Sequence, residues 1–380
     1  MNDISERLKN LSPAQRKLLE KKIREKQQSP SDSVTVPMDF SLFYFSADGT
    51  GHHPGKYDQL LESARFADAN GFKAVWTPER HFQAFGGLYP NPSVLGAALA
   101  VSTSKLRIRS GSVVAPLHHP VRLTEEWSVV DNLSGGRVDL SFATGWHTHD
   151  YVIKPENFHQ RREIMFRDID TIRCLWRGET LSLPGVDGAL TDVATLPHPV
   201  QKELPFWVTA SSPRTWVRAG EIGANVLSMV ISSISEIGRH VKAYREARLN
   251  NGHDPRTGVV SIMLHTYLNP DEEEAREHTR QPLSTYLTDF MDQFKSLPGA
   301  ESVEDEDALL RFAFERYFNG NALLGSPQKC EKLVHELAQQ GVNECACLID
   351  FGLPDPAVTK SLQLLAELRK KFTSAKNDEE

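Results

Sequence analysis

The sequence predicts an α/β protein whose parallel strands close into a (β/α)8 TIM barrel, with insertions and an N-terminal helical linker. Eight short apolar, β-branched or aromatic runs alternate along the chain with segments of helical period. Eight parallel strands are the number that closes such a barrel. The alternative is an open doubly wound sheet, which usually carries GxGxxG after its first strand, and this pattern does not occur in the sequence. The barrel is therefore the favoured architecture.

The predicted strands are short buried runs that end where the chain turns polar. They span residues 39–46, 73–77, 106–114, 138–144, 205–210, 225–230, 259–268 and 345–351. Apolar residues at helical spacing predict the helices between them. These helical patterns cover residues 57–67, 123–133, 158–176, 237–244 and 355–372. The first two are followed by glycine, which is typical of a helix end.

A barrel of this kind needs about 250 residues, and two internal stretches account for part of the extra length of this chain. The stretch 178–204 is punctuated by Gly and Pro and predicts a hairpin. The acidic stretch 270–322 has helical period and predicts inserted helices.

The N-terminal segment differs in composition from the rest of the chain. We assign residues 1–37 to a helix and linker, and residues 38–380 to the barrel. Ser12 before Pro13 is typical of a helix start, and the Ser- and Pro-rich residues 27–33 are typical of a linker.

Charge and hydropathy exclude several classes of function. The net charge is −7 and no basic patch is present, which argues against nucleic acid as a partner. No apolar run reaches the about 18 residues of a membrane span, and no secretory signal is recognisable. The four cysteines form no CxxC pair and are typical of reduced core residues. We therefore expect a soluble, cytoplasmic protein that binds neither nucleic acid nor membrane.

Ionisable residues gather at the predicted strand ends, where a barrel of this kind places its active site. The second strand runs directly into Glu79, Arg80 and His81, the fourth ends close to His147, and the seventh contains His265. These ends lack the paired carboxylates of a glycosidase and the GxSxG of a serine hydrolase.

Two histidine pairs have the composition of metal ligands. They are His118-His119 and His147-x-His149. No carboxylate stands at a familiar spacing from either pair, so we predict no metal site.

An anion site is predicted after the fifth strand. Ser211, Ser212 and Pro213 precede Arg214, and a helix is expected from Thr215 onward to residue 222. Backbone N–H groups, hydroxyls and the helix dipole would face an anion there, and the guanidinium of Arg214 would add charge-assisted hydrogen bonds. The same residues suit an ordinary helix cap, so the local sequence leaves both interpretations open.

From Met38 to about Phe372 the chain resembles the bacterial luciferase-like flavin monooxygenases. The resemblance rests on motifs that occur in order: ERHF, FGGLYPNPSVLGAALA, GSVVAPLHHPVRLTEEWSVVDNLSGGRV, FATGWH and WVTASSP. The GGLYPNPS, LHHP and NLSGGR runs are similar to the subgroup associated with nonribosomal peptide synthetases and polyketide synthases. The segment ISERLKNLSPAQRKLLEKKIREK also resembles the linker helices of modular peptide synthetases.

The resemblance implies FMN as the cofactor, supplied in reduced form by a separate flavin reductase. By position in the motifs, the FMN phosphate lies against Ala210, Ser211, Arg214 and Thr215. The isoalloxazine lies near Gly111, Ser112, Thr144, Gly145 and Trp146. A non-proline cis bond is common in this family after the third strand, and Gly111–Ser112 is the candidate here.

The resemblance also implies a reaction. Reduced flavin and dioxygen form a C4a-(hydro)peroxide, which transfers one oxygen atom and leaves the other as water. The catalytic histidine of luciferase aligns with Arg80, so the proton-handling role rests among Arg80, His81, His147 and His265. Aromatic residues are expected to exclude water from the site: Phe43, Phe45, Trp76, Phe82, Phe85 and Trp146.

The implied substrate is an acyl or aminoacyl group tethered to the carrier protein of a synthetase, and the implied assembly is a homodimer. The oxidised atom is left open between N-hydroxylation, carbon hydroxylation and Baeyer–Villiger insertion. Two other functions also stay open. One is an F420-dependent oxidoreductase of the same superfamily, and the other is a catalytically silent flavin-binding docking subunit.

Overall fold

Parallel strands close into a barrel in the computed structural model, which describes residues 37–45, 54–230, 233–295 and 306–373. The strands are β1 (Asp39–Phe43), β2 (Ala74–Thr77), β3 (Arg107–Val114), β4 (Val138–Ala143), β5 (Leu181–Pro184), β6 (Leu190–Val193), β7 (Phe206–Thr209), β8 (Asn225–Met229), β9 (Val260–Leu268), β10 (Leu323–Gly325) and β11 (Glu344–Leu348). Barrel strands pair in parallel in the order β1, β2, β3, β4, β7, β8, β9, β11, and β11 pairs back with β1. The predicted (β/α)8 barrel is confirmed.

Helices follow most of the strands. They are α1 (Asp58–Ala69), α2 (Pro92–Ser102), α3 (Pro120–Ser134), α4 (Arg161–Trp176), α5 (Pro213–Glu221), α6 (Ile234–Asn250), α7 (Glu272–Lys295), α8 (Glu306–Arg316), α9 (Pro327–Gln339) and α10 (Asp355–Lys370). Local sequence sets several of their ends. The side chain of Asn91 accepts hydrogen bonds from the backbone N–H groups of Ser93 and Val94, which starts α2. After α3, Gly135 adopts a φ of 69°, a left-handed conformation that glycine adopts without steric penalty.

The boundaries differ from the prediction at two aromatic residues. Phe158 precedes α4 and Phe372 follows α10, although both were predicted inside these helices. Each ring packs instead on a neighbouring aromatic, Phe158 on Tyr151 and Phe372 on Phe40. Helical spacing therefore started α4 too early and ended α10 too late.

Both predicted insertions are present. β5 and β6 form an antiparallel hairpin between α4 and β7, within the predicted stretch 178–204. Helices α7 and α8 lie between β9 and β10, within the predicted stretch 270–322. α8 leads through a π-helical turn, Tyr317–Asn321, into β10.

A charged cluster fills the barrel at the end opposite to the strand carboxyl ends. Arg109 donates from Nε to Asp139 over 2.6 Å, and from Nη1 to the two oxygens of Glu344 over 2.8 and 2.7 Å. Its guanidinium lies 4.7 Å from the ring of Trp76 and 4.4 Å from that of Trp207. Burial lowers the pKa of Arg109, but the two carboxylates outweigh this effect and raise it. We call these five residues the barrel floor.

Several predictions fall on residues outside the described ranges. They include the N-terminal helix with its linker and the loop 46–53 after β1. The assignment of residues 1–37 to a separate linker therefore stays a prediction. Within the described ranges, no helix combines the length and the apolar character needed to cross a bilayer. All four cysteines carry free thiols.

Candidate active site

A buried carboxylate at the end of β2 organises the barrel mouth. Glu79 accepts hydrogen bonds at Oε1 from Nε2 of His81 over 3.0 Å and from Nε2 of His118 over 2.7 Å. Its Oε2 accepts the backbone N–H of Val114 over 2.7 Å, at the end of β3. Burial alone raises the pKa of Glu79, but the charge and hydrogen bond of His118 lead a set of partners that lowers it below its ordinary value. Glu79 is therefore held as a carboxylate.

Arg80 turns into the mouth and forms a buried ion pair. Its Nη1 donates to Oδ2 of Asp150 over 3.0 Å, and both side chains are almost completely buried. The guanidinium also lies 5.4 Å from the ring of Trp146. Burial lowers the pKa of Arg80 and raises that of Asp150, and each partner opposes the effect on the other. Arg80 is thus a fixed cation beside an aromatic ring.

His147 is a neutral imidazole next to this cation. It is buried, and its ring meets those of Trp146 and His149 edge-on at 5.3 and 5.0 Å. Burial, reinforced by the charge of Arg80, lowers the pKa of His147 to about 4. Among the described residues, its Nδ1 has no hydrogen-bond partner. A neutral ring with an unsatisfied nitrogen can hydrogen-bond a bound molecule.

His265, on β9, lies inside an enclosure of aromatic rings. Its imidazole meets the rings of Tyr286, Tyr317 and Phe351 at centroid distances of 4.6, 5.2 and 5.4 Å. Burial lowers the pKa of His265 to about 3, so it is neutral at physiological pH. Its buried Nε2 has no partner within the described parts of the chain. His265 is therefore placed to give or accept one hydrogen bond inside an apolar chamber.

The aromatic enclosure reaches the other mouth residues through further ring contacts. Phe85 packs on Tyr286 at 4.7 Å and on Phe290 at 6.3 Å, and Phe290 packs on Trp146 at 6.4 Å. Phe290 and Tyr286 belong to α7, so the inserted helix covers this side of the mouth. We call His265, Phe85, Trp146, Tyr286, Phe290, Tyr317 and Phe351 the aromatic chamber.

Three hydroxyls meet inside the barrel next to the predicted flavin position. Ser112 hydrogen-bonds Ser141 over 2.9 Å and also Thr209, and Ser141 lies 3.1 Å from Thr209. The Gly111–Ser112 bond is cis, as expected from the resemblance. A Cβ on Gly111 would come within 3.0 Å of both Phe43 and Trp76, so a larger residue there would force these side chains to shift.

The loop after β4 carries the other residues that were predicted to lie near the ring. Tyr151 donates a hydrogen bond to the carbonyl of Thr144 and holds this loop. Gly145 adopts a φ of 64°, and a Cβ there would come within 2.7 Å of Val114. The loop then places Trp146 against Arg80.

The predicted anion site lies at the start of α5, which begins at Pro213 and thus two residues earlier than expected. The first turn contains no acidic residue, and the Ser212 side chain does not cap the helix. The hydroxyl of Ser212 instead lies 3.0 Å from that of Thr215, while Ser211 and Arg214 are exposed. Ala210 is buried, and its carbonyl accepts a hydrogen bond from Ser228 over 2.6 Å. Hydroxyls and a guanidinium are donors that a phosphate binds, so the residues fit this group.

The predicted water-excluding residues divide into three groups. Phe85 and Trp146 belong to the aromatic chamber, and Phe45 packs on Phe85 at 5.0 Å. Trp76 belongs to the barrel floor, and Phe43 packs on it, so these two form core. Phe82 is largely exposed at a φ of 59°, so its predicted place in a buried lining is wrong.

Several mouth residues were given no role by the sequence. Asp150 and Tyr286 contact Arg80 and His265 from distant parts of the chain. No local pattern marked either residue, and Tyr286 lies in α7, which has the composition of a solvated acidic helix. His118 stands in the LHHP motif, so its bond with Glu79 had a detectable signal. Within the described ranges, no group of three ligand-type side chains could hold a metal ion.

Comparisons with known proteins show the family of this chain. The family model described as "Luciferase-like monooxygenase" matches residues 38–344. The chain belongs to this family. Membership confirms the predicted kind of enzyme, a luciferase-like monooxygenase. The finer prediction of a subgroup associated with peptide and polyketide synthetases is not shown by it.

The proteins that resemble this chain are named for different cofactors and different substrates. The chain is 26% identical over 353 residues to the oxygenase component of flavin-dependent trigonelline monooxygenase from Acinetobacter baylyi, covering 90% of this chain and 97% of the relative. Among solved structures, the oxygenating constituent of 3,6-diketocamphane monooxygenase from Pseudomonas putida, in complex with FMN, superposes with a TM-score of 0.72 at 20% identity, covering 90% and 100% of the two chains. An F420-dependent secondary alcohol dehydrogenase superposes with a TM-score of 0.68 at 16% identity, covering 89% and 100%. At these identities the two structural likenesses show the fold alone.

Proposed function

We propose that this protein is the FMN-dependent oxygenase component of a two-component monooxygenase. It inserts one oxygen atom from dioxygen into an acyl or aminoacyl intermediate of a peptide or polyketide pathway, held on a carrier protein. The observation that carries the FMN assignment is the start of α5, where Ser211, Arg214 and Thr215 offer phosphate donors with no acid in the first turn. The helix start follows β7. Thr209 of β7 hydrogen-bonds Ser112 and Ser141 at the predicted position of the flavin ring.

In this proposal the FMN phosphate binds at Ala210, Ser211, Arg214 and Thr215. The ring lies against Gly111 and Ser112 on one strand end and against Thr144, Gly145 and Trp146 on the next. Reduced FMN supplies the electrons that activate dioxygen, and this chemistry belongs to the cofactor. The chain's own residues bind the flavin, exclude water and move protons.

The mouth residues divide the remaining work. His81 is the proton-handling group, because the buried carboxylate of Glu79 holds its imidazole just after β2, next to the Arg80–Asp150 pair. His147 and His265 are neutral hydrogen-bonding groups toward the substrate, since burial lowers the pKa of both. The aromatic chamber excludes water from the reacting atoms. The buried pair of Arg80 and Asp150 forms one wall of the proposed substrate pocket, beside Trp146.

The partners follow from related observations. A similar protein is named as an oxygenase component, which supports a separate flavin reductase for this chain as well. The assignment of a carrier protein as partner is based on the N-terminal segment, which resembles synthetase linker helices. The homodimer rests on the family resemblance. The four free thiols support a reducing, cytoplasmic location.

One experiment separates this function from its competitors. The purified protein is titrated with reduced FMN and, in parallel, with reduced F420, and binding is followed by fluorescence without oxygen. The loaded carrier protein and oxygen are then added, and the intact mass of the carrier is measured. FMN binding with a gain of one oxygen atom supports the proposal. Binding of F420 alone, or oxygen use no faster than with free flavin, contradicts it and favours the F420-dependent or the docking alternative.

A substitution of His81 tests the proposed proton-handling role. With His81→Ala we expect FMN binding to persist and more of the oxygen to appear as hydrogen peroxide, because the product-forming step loses its proton partner. The matched variant His147→Ala removes a neutral imidazole from the same mouth. Equal coupling in wild type and His81→Ala would assign the role elsewhere, with His147 as the next candidate.

A further inference from the structure

Two histidines share one carboxylate oxygen at the edge of the mouth. Oε1 of Glu79 lies 3.0 Å from Nε2 of His81 and 2.7 Å from Nε2 of His118. The other oxygen is occupied by the backbone N–H of Val114 over 2.7 Å. The carboxylate is therefore locked in one orientation, with both imidazoles on the same atom.

The three side chains differ in their access to solvent. The Glu79 side chain is fully buried, that of His81 is 13% exposed, and that of His118 is 28% exposed. His81 follows β2 and lies beside the Arg80–Asp150 pair. His118 follows the short 3-10 helix Ala115–Leu117 after β3 and precedes α3. The line His81, Glu79, His118 therefore connects the mouth with a second, more open position on the rim.

Charged groups face both ends of this line. Beside His118 stand Glu126 of α3 and Lys154, whose Nζ donates to the His118 carbonyl over 3.3 Å. Burial lowers the pKa of His118, but Glu79 outweighs this effect and raises it, so His118 readily carries a proton.

Asp150 and Arg80 are the charged groups at the other end, where Asp150 accepts the backbone N–H of His81. Tyr151 also feels the charge of Glu79, and burial raises its pKa well above its ordinary value, so it stays a neutral phenol. The line therefore has one buried carboxylate between two imidazoles, both bonded to the same oxygen.

We propose that Glu79 and His118 are positioning residues that exchange protons between solvent and His81. A proton that His81 takes up at one ring nitrogen leaves from its Nε2 to Oε1 of Glu79. From there it passes to Nε2 of a neutral His118 whose single ring proton is on Nδ1, and His118 then releases that Nδ1 proton to water. Run backwards, the same steps deliver a proton to the mouth. The number of protons is conserved at each step, and no other reactant is needed.

This route explains why a dry mouth can still move protons. The aromatic chamber excludes water, so bulk solvent cannot serve as the proton donor at the reacting atoms. A purely structural carboxylate would need only donors, and backbone N–H groups satisfy that need without titrating. Here both side-chain donors are imidazoles, and each has a second ring nitrogen that can take up or release a proton. The inference rests on the proposed role of His81, and its first test does not require turnover.

The first test measures the exchange of the His81 Nε2 proton with solvent by NMR, in protein with 15N-labelled histidine and no flavin. His118→Gln keeps an N–H donor for Glu79 and fills the same space, but cannot carry a proton. We expect this variant to slow the exchange about a hundredfold or more, within the range that acid–base groups contribute to proton transfer. His119→Gln changes the adjacent exposed histidine, which starts α3 without a side-chain cap, and should leave the rate unchanged.

A second variant guards against loss of folding. His118→Ala opens space at a partly exposed position, so added imidazole should restore the exchange rate of His81 in this variant alone. Unchanged exchange in folded His118→Gln overturns the proposal, and so does equal slowing by His119→Gln. If oxygen use stays coupled to product formation with FMN and the exchange of the His81 proton is unchanged in His118→Gln, the relay is rejected and the proposed function stands. Slowed exchange without FMN-dependent turnover rejects the proposed function alone.

With turnover, the pH profile supplies an independent readout. In His118→Gln the fraction of oxygen lost as peroxide should rise, and the dependence of coupling on pH should change shape, while KM for the substrate stays the same. A purely structural role would change KM and stability together and leave the shape of the profile intact.

Discussion

Nη1 of Arg109 faces both carboxylate oxygens of Glu344, at 2.8 and 2.7 Å, inside the barrel. Asp139 binds the same guanidinium, and two tryptophan rings flank it. Glu344 also accepts hydrogen bonds from Ser41 over 2.5 Å and Ser261 over 3.2 Å. A charged layer with this many partners belongs to the stability of the barrel, since it lies away from the strand ends that carry the site.

Glu344→Gln should therefore lower stability and spare flavin binding. The variant leaves Arg109 buried with one carboxylate, and breaking a buried pair in this way costs about 3–5 kcal/mol of unfolding free energy. Urea unfolding at neutral pH measures the loss, and a flavin titration measures the binding. Glu246→Gln is the control, because Glu246 meets Lys242 in an exposed pair at 3.9 Å. A loss of FMN affinity in folded Glu344→Gln would show that the barrel floor contributes to the flavin site.

The start of α5 can be tested with a control on the same helix. Replacing both Ser211 and Arg214 with Ala should weaken FMN binding by about 1–3 kcal/mol, because charge-assisted hydrogen bonds to the phosphate are lost. Arg218→Ala removes an arginine one turn further on, where it pairs with Glu221 over 2.9 Å, and should leave the affinity unchanged. Equilibrium titration of fluorescence gives both values. Equal affinity in the double variant and wild type would reject the phosphate assignment.

His265 should make the stability of the protein depend on pH. Its folded pKa of about 3 lies below the ordinary value of 6.5, so the unfolded chain binds a proton first as the pH falls. The folded state then loses stability below about pH 6.5, by about 2 kcal/mol at pH 5 for this one group. His265→Phe removes the group and should flatten this part of the curve.

The control for this prediction is His119→Phe, which changes an exposed histidine and should keep the full pH dependence. Urea unfolding at pH 7 and pH 5 measures all three proteins. If His265→Phe loses as much stability between these pH values as wild type, His265 takes up a proton in the folded state, and its role as a neutral group is wrong.

The N-terminal segment gives the fourth prediction. If residues 1–37 guide a carrier protein, deletion of residues 1–33 should leave FMN binding and thermal stability unchanged and should raise KM for the carrier-bound substrate. The same deletion should leave turnover of a free small-molecule analogue of that substrate unchanged. A lower melting temperature would show instead that the segment packs on the barrel, and the docking role would then fail.

The barrel could be predicted because its signals are local. Each strand is a short apolar run that ends in a polar turn, and glycines such as Gly71 and Gly135 stand where helices end with positive φ. The start of α5 was found for the same reason, since a Ser/Pro pair before a helix is a local pattern. Local patterns also misplaced boundaries by a residue or more, as at Phe158 and Phe372.

The partners within the site could not be predicted, because they come from distant parts of the chain. Asp150 lies 70 residues after Arg80, and Thr209 lies 97 residues after Ser112. Tyr286 reaches His265 from an inserted helix whose sequence is dominated by charge. The position of Phe82 failed for a different reason: its backbone turns at a φ of 59° and carries the ring outward. No pattern of residue types announces such a turn.

Helix α7 and the turn Tyr317–Asn321 supply three rings of the aromatic chamber, although the barrel could close without either. The groups assigned to flavin and to protons lie in or just after other strands, whereas this part of the aromatic chamber lies entirely between β9 and β10. In the proposed function, substrate scope and oxygen chemistry are thereby encoded in separate stretches of the gene. A library confined to the stretch between β9 and β10 can redirect which molecule is oxidised while the oxidant stays the same.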